Sequence, residues 1–306
     1  MALEFVKEPE PPYGVLQDVT PLVRRVVAHN PGPFTFHGTG TYLVGRGSVA
    51  VIDPGPDLPE HLDALTAVLT GETVTHIFVT HTHRDHSPGA AVLAEQWGVP
   101  VLAYGPHPPD PGGLEETPEE GEVTTEEPFD SAFAPTVTLA HGDVVAGDGW
   151  TLEAVHTPGH LPNHLCFSLQ EERALLSGDH VMGWSTTVVA PPYGDMRSYQ
   201  ASLALVRDRP EVLHLPTHGP PVTNPSEHVA GLLAHRADRE RQVIERLRLG
   251  PTRIPELVAD LYVGIDERLH KAAGRSLLAH LLALRAEGTV VADGPLGTGA
   301  LWELAP

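Results

Sequence analysis

The chain has a single cysteine, Cys166, among its 306 residues. An intrachain disulfide framework is therefore excluded, and so is a metal site built on several thiolates. Basic side chains are scarce: 19 Lys and Arg stand against 40 Asp and Glu, a formal net charge of −21 at pH 7. Such a surface repels phosphate backbones and anionic lipid, so broad nucleic-acid binding is not expected. No run approaches the ~18 apolar residues that would cross a bilayer. The opening MALEFVKEPEPPYGV holds no apolar leader segment. A cytoplasmic protein without membrane contact is the expectation. With 41% of residues hydrophobic, the chain is long and apolar enough to bury a sizeable core.

What is abundant is histidine, at 19 residues. Most are read as scattered surface groups, but any metal ligands must be imidazole and carboxylate, a donor set that suits zinc and its neighbours. Two parts differ in character, residues 1–222 and residues 223–306. The second holds 10 Lys and Arg and 11 Asp and Glu, so almost all the negative charge belongs to the first. The densest acidic stretch, residues 107–130, is rich in Pro, Gly and Glu and reads as an exposed loop, with a flap over a site as the functional alternative.

The first part alternates strand and helix patterns. Residues 41–45 and 48–53 read as a hairpin, and 76–80, 99–104, 137–139, 151–156, 165–170, 174–177 and 212–215 as strands. Helical spacing runs over 59–69 and 89–97. The second part begins at Asn224-Pro225-Ser226, a helix start, and continues to Gly250-Pro251. Helices over 255–262 and 267–285, then a hairpin of 289–292 and 301–304, describe a winged helix.

The central motif is His81-Thr82-His83-Arg84-Asp85-His86, directly after the apolar strand 76–80. In extended chain, residues i and i+2 share a side, so His81 and His83 can chelate one cation. Asp85 and His86 then turn toward a neighbouring position. Four further segments deliver polar groups from strand ends: His160 in HTPGH, Asp179 in SGDH, His218 in THGPP and Asp53 in VIDPG. Ends of strands are where α/β enzymes gather their chemistry.

Over roughly residues 20–222 these five segments, in this order, resemble the metallo-β-lactamase superfamily. The resemblance implies an α/β fold, an αββα sandwich with metals at the rim between its sheets. It implies that His81, His83 and His160 bind one metal, that Asp85, His86 and His218 bind a second, and that Asp179 bridges them. Asp53 would hold the histidine loop by hydrogen bonds. Two zinc ions are the expected cofactors, with manganese or iron able to use the same ligands. Between such cations a water ionises near neutral pH, and this bridging hydroxide is the expected nucleophile of a hydrolase. Asp85 and Asp179 are the expected catalytic carboxylates, as acceptors of the nucleophile's proton.

Departures narrow the class. Asp179 stands where several lactamases of this fold carry Cys, and His83 where di-iron redox relatives carry Glu. The tract after SGDH, and THGP followed by a long helix carrying His235-Arg236, is similar to the branch of β-lactamase-like protein 2, in which a winged helix follows the sandwich. That branch contains a single-strand RNA endonuclease and thioesterases of carrier-bound acyl chains. The acidity favours a small ester or thioester over RNA, because backbone contacts need Lys or Arg. Lys271, Arg275 and Arg285 could form a small basic patch and are read instead as solvated charges. A DNA regulator with a ligand-sensing sandwich is a further reading, opposed by the near-neutral second part. The winged helix is expected to form a cleft wall or a homodimer element. His164, His180, Thr186 and Tyr193 are candidates for substrate contact, with Ser185 and Thr187 in the same loop. Cys166 reads as a small buried hydrophobe.

Overall fold

The computed structural model describes residues 3–114, 128–264 and 269–306. Most of the acidic stretch, and the expected start of the last helix at Glu267, lie outside the described residues.

A first sheet orders β1 (Gln17–Asp18), β2 (Val23–Val27), β3 (Gly40–Val44), β4 (Ser48–Ile52), β5 (Thr73–Phe78), β6 (Val101–Ala103) and β7 (Val137–Thr138) in sequence order. Helix α1 (Pro59–Val68) links β4 to β5, and α2 (Gly89–Trp97) links β5 to β6, so these strands run parallel. Residue alternation explains the layering. In β4, Val49 and Val51 face α1 and α2, while Ala50 and Ile52 face the second sheet. Both faces are covered, which is why such strands read as unbroken apolar runs.

The second sheet contains β8 (Val144–Ala146), β9 (Thr151–His156), β10 (Leu165–Leu169), β11 (Ala174–Gly178) and β12 (Leu213–Pro216), in the order β12-β11-β10-β9-β8. Phe78, Tyr42 and Ile52 from the first sheet pack on Phe167, Leu165 and Leu176 from the second. Helix α3 (Met196–Arg207) and the front of α4 (Pro225–Leu247) cover its outer face through Tyr199, Leu203, Val229 and Leu232. Cys166 is fully buried in that layer, on β10. The architecture is αββα.

A separate apolar cluster lies beyond, built by the end of α4 with α5 (Ile254–Leu261), α6 (His270–Ala286), β14 (Val290–Asp293) and β15 (Leu301–Leu304), the last of which pairs with β13 (Thr252–Arg253). Helices and a three-stranded sheet of order β13-β15-β14 make a small winged helix. Helix α4 is shared: Val229 and Leu232 belong to the sandwich layer, Val243 and Leu247 to the winged helix. Ala279 and Ala283 of α6 also reach the sandwich layer.

Trp150 closes the sandwich at its far edge, fully buried, its indole N–H donating to the Ser48 carbonyl at 3.2 Å. Side chains at Gly45 or Gly147 would collide with its ring. Trp150→Ala is expected to cost about 3–5 kcal/mol, the usual range for emptying such a site. Urea unfolding of the metal-free protein measures it.

Candidate metal centre

Strands β4, β5, β11 and β12 end on the same rim, and β9 runs in the direction of β11 because both pair antiparallel with β10. The rim is sewn across the sheets: the Leu165 amide donates to the Thr80 carbonyl at 2.8 Å, the Gly40 amide to Thr217 at 2.8 Å, and the Tyr42 hydroxyl to Pro216 at 2.7 Å. Two glycines are required there. Gly178 (φ 53°) leaves room for the His164 ring, and Gly159 (φ 136°) lies against the backbone of Tyr199.

On this rim stand two buried groups. One is His81, His83, His160 and Asp179; the other is Asp85, His86 and His218; within each, the donor atoms lie within 4.8 Å of one another. His83 Nδ1 lies 2.9 Å from His81 Nε2 and 3.0 Å from His160 Nε2. Asp85 Oδ2 lies 3.1 Å from both His86 Nε2 and His218 Nε2. Asp179 faces both groups: Oδ2 is 3.8 Å from His160 Nε2, and Oδ1 is 3.4 Å from His218 Nε2 and 3.6 Å from His86 Nε2. All seven expected ligands therefore meet. Asp179 and His160 are 8% and 7% exposed, the other five 4% or less, so solvent reaches the centre from the side of Asp179.

The rings are aimed by what they touch on their far side. His160 Nδ1 donates to the Val188 carbonyl at 2.6 Å and His218 Nδ1 to that of Gly38 at 3.1 Å. His86 Nδ1 donates to Asp53 Oδ2 at 2.9 Å. Each of these bonds fixes the proton on Nδ1 and turns the Nε2 lone pair inward, the arrangement a cation requires. His81 Nδ1 contacts the Thr80 hydroxyl at 3.0 Å. His83 differs: its outer Nε2 is buried without a hydrogen bond, and its ring stacks on Phe129 (5.1 Å, 19°). Phe129 is itself stacked by His107 (4.8 Å) and met edge-on by Tyr193 (4.8 Å).

Asp53 is fully buried and accepts from the Thr80 amide (2.7 Å), the Thr80 hydroxyl (2.7 Å), His86 and the Thr217 hydroxyl (3.1 Å). It takes the left-handed conformation (φ 49°) that Asp tolerates.

Charge is arranged to suit cations. Burial opposes ionisation of Asp85 and Asp179, but His86 and His218 beside them hold both carboxyls well below the usual range. Burial likewise opposes charge on His218, yet Asp179 and Asp85 push it up to about 10; the same carboxylates, with Asp53, raise His86. His81, His83 and His160 are held neutral by burial and by neighbouring rings. Cations entering the centre would displace the protons of His86 and His218, leaving a donor set of two carboxylates and five imidazoles, matched to a pair of borderline dications.

Substrate candidates fare differently. His164 and His180 are fully buried, and neither side chain is exposed to solvent. His164 accepts from the Asp179 amide at Nε2 (3.2 Å) and donates to the Thr157 hydroxyl (2.8 Å), so it supports the turn that carries Asp179. His180 lies over Tyr199, beneath the centre. Ser185 and Thr186 are half-buried in the loop that follows. Thr187 is buried and donates to the carbonyls of Asp179 (2.7 Å) and His180 (3.0 Å). Tyr193, half-buried, joins the aromatic group around Phe129.

With this geometry in place, comparison with known proteins defines the class. Residues 35–220 match the metallo-beta-lactamase superfamily, and residues 254–302 match the beta-lactamase associated winged helix domain. The chain belongs to the metallo-β-lactamase superfamily and is a metal-dependent hydrolase of that fold. Among its relatives is an atrochrysone carboxyl ACP thioesterase of Aspergillus chevalieri, 32% identical over 89% of this chain and 83% of that protein. A beta-lactamase-like protein 2 homolog of Caenorhabditis elegans is 34% identical over 76% of this chain and 73% of its own. The same fold occurs in a beta-lactamase domain protein from Burkholderia ambifaria, with TM-score 0.76 and 22% identity over 97% of this chain and 96% of that one.

All four groups bonded to Asp53 are donors, so Asp53→Asn must point an amide N–H₂ at another donor. Metal affinity is expected to fall about 10- to 100-fold, as for other groups that orient ligands; competition with a chromophoric chelator reads it. A second expectation concerns acid. Burial holds His214 of β12 down at about 4, with Glu211 opposing only in part, whereas an unfolded histidine titrates near ~6.5. The folded value is the lower one, so its contribution is complete above pH ~6.5 and is lost as pH falls toward 4. At pH 5 that loss is about 2 kcal/mol. His180, at about 3 through burial, acts in the same sense. Unfolding in chelator at pH 7 and pH 5 should show His214→Gln losing about 2 kcal/mol less than the parent across this interval.

Proposed function

We propose that the chain hydrolyses thioesters of small acyl groups, with two zinc ions held by His81, His83, His160, Asp85, His86, His218 and a shared Asp179. The observation that carries this reading is Asp179, whose two oxygens face the two ligand groups at the open side of the rim. A relative of 32% identity over most of the chain bears the name of an acyl carrier protein thioesterase, which supports the thioester. Charge supports it too. A −21 chain disfavours an RNA backbone, the alternative substrate in this branch, while a thioester demands no basic surface.

A bound metal pair supplies polarisation of the substrate carbonyl and acidification of a water. The chain's own groups do the rest. Asp179, ionised and nearest solvent, takes the proton from the attacking water. Asp85 is held by the Thr39 hydroxyl at Oδ2 (3.0 Å) and keeps its negative charge against His218 and His86. Ser185 and Thr186, half-buried in the loop after Asp179, offer hydroxyls to the leaving group. A thiol leaving group, with a pKa near ~8.5, departs as thiolate without the acid that an alcohol would need.

Acyl thioesters, lactones and single-stranded RNA offered to zinc-loaded protein test the proposal. Thioester cleavage is expected to dominate and to fall about 100-fold or more in His83→Ala, where a cation ligand is lost. RNA cleavage that disappears in His83→Ala, with thioesters inert, overturns the substrate; thioesterase activity unchanged in His83→Ala overturns the mechanism.

A further inference from the structure

Arg236 is the one buried charged side chain of α4, 3% exposed, in the stretch where that helix passes from the sandwich to the winged helix. Burying a guanidinium is costly unless its donors are used. Its Nη2 donates to the carbonyl of Thr187, and its guanidinium lies over the Tyr199 ring at 5.3 Å. One turn on, Glu240 is committed elsewhere, accepting from Gln200 at 2.8 Å and from His280 at 3.2 Å. Arg236 also interacts with Tyr199 and with the charge of Glu240, and the Thr187 carbonyl is the contact through which it reaches the segment beside the metal centre.

That carbonyl sits in a short segment with two duties at the metal centre. The Thr187 hydroxyl donates to the Asp179 carbonyl, and the next residue's carbonyl, that of Val188, fixes His160. The C-terminal helices grip this segment again at Pro191, whose carbonyl accepts from Arg275 of α6 at 2.7 Å. We infer that Arg236 is a positioning residue for the metal centre, through which the C-terminal helices set the orientation of His160 and Asp179. This assigns the winged helix and its leading helix a part in metal binding. The inference rests on the ligand set and is independent of the thioester reading, because metal affinity is read without substrate.

Arg236→Met keeps most of the volume and removes the donors, leaving the Thr187 carbonyl without this partner. Its metal-free melting point is expected to stay within a few degrees of the parent. Its affinity for zinc, by chelator competition, is expected to fall about 10- to 100-fold, with an altered visible spectrum of the cobalt-substituted protein. Arg236→Lys, which keeps one donor, should recover part of that affinity, and it carries the test if the methionine variant does not fold. Thr187→Val interrupts the same path, so the double variant Arg236→Met/Thr187→Val should lose less than the two single losses combined. Parent-like zinc affinity in the Arg236 variants, or fully additive losses in the double variant, overturns the inference.

Discussion

Four hydrogen bonds converge on the buried carboxylate of Asp53, from Thr80, His86 and Thr217. Thr80 ends the strand that becomes the histidine loop, and Thr217 precedes His218 on the other sheet. One side chain therefore fixes the relation of the two sheets at the rim and the aim of a ring within it. Without that tie, ligands arising from separate strands would have no common reference, and a centre assembled over 138 positions, from His81 to His218, could not be pre-formed. Preorganisation is what makes such a site chemically useful, since ligands already in place need no reordering when a charge develops.

The site was more legible in the sequence than the frame around it. Imidazoles and carboxylates placed directly after apolar strands announce both their chemistry and their position, and HTHRDH needs only the extended-chain repeat to be understood. Strand β2 was hidden because its core is VRRVV. Both arginines are buried, Arg24 bound to Glu72 and Arg25 to the Gly219 carbonyl, so charge masks an interior strand. Helix α3 was missed as well; its signal was Asp195, which caps the helix by accepting from the Ser198 amide. The helices over 59–69 and 89–97 were readable because apolar spacing decides them locally.

His164 and His180 stand near ligands in the sequence and are both fully buried. His180 follows Asp179 directly, and a strand end that delivers one side chain to the rim sends its neighbour into the layer beneath; His164 lies four positions after His160, just before β10. Arg236 has the opposite history. The sequence marks it, beside His235, only as a feature shared with a branch of the family; its contact with the Thr187 carbonyl, 49 positions earlier, comes with the packing. Long-range polar contacts of this kind carry no periodic signature and emerge only with the packing.

The state of Cys166 has a practical corollary. Burial lifts its thiol to about 12, although Thr157 lends it a hydrogen bond, and the side chain is sealed inside β10. It stays protonated at any working pH and is inert toward disulfides and electrophiles. Colorimetric thiol reagents used in any activity assay would therefore read against a silent protein background.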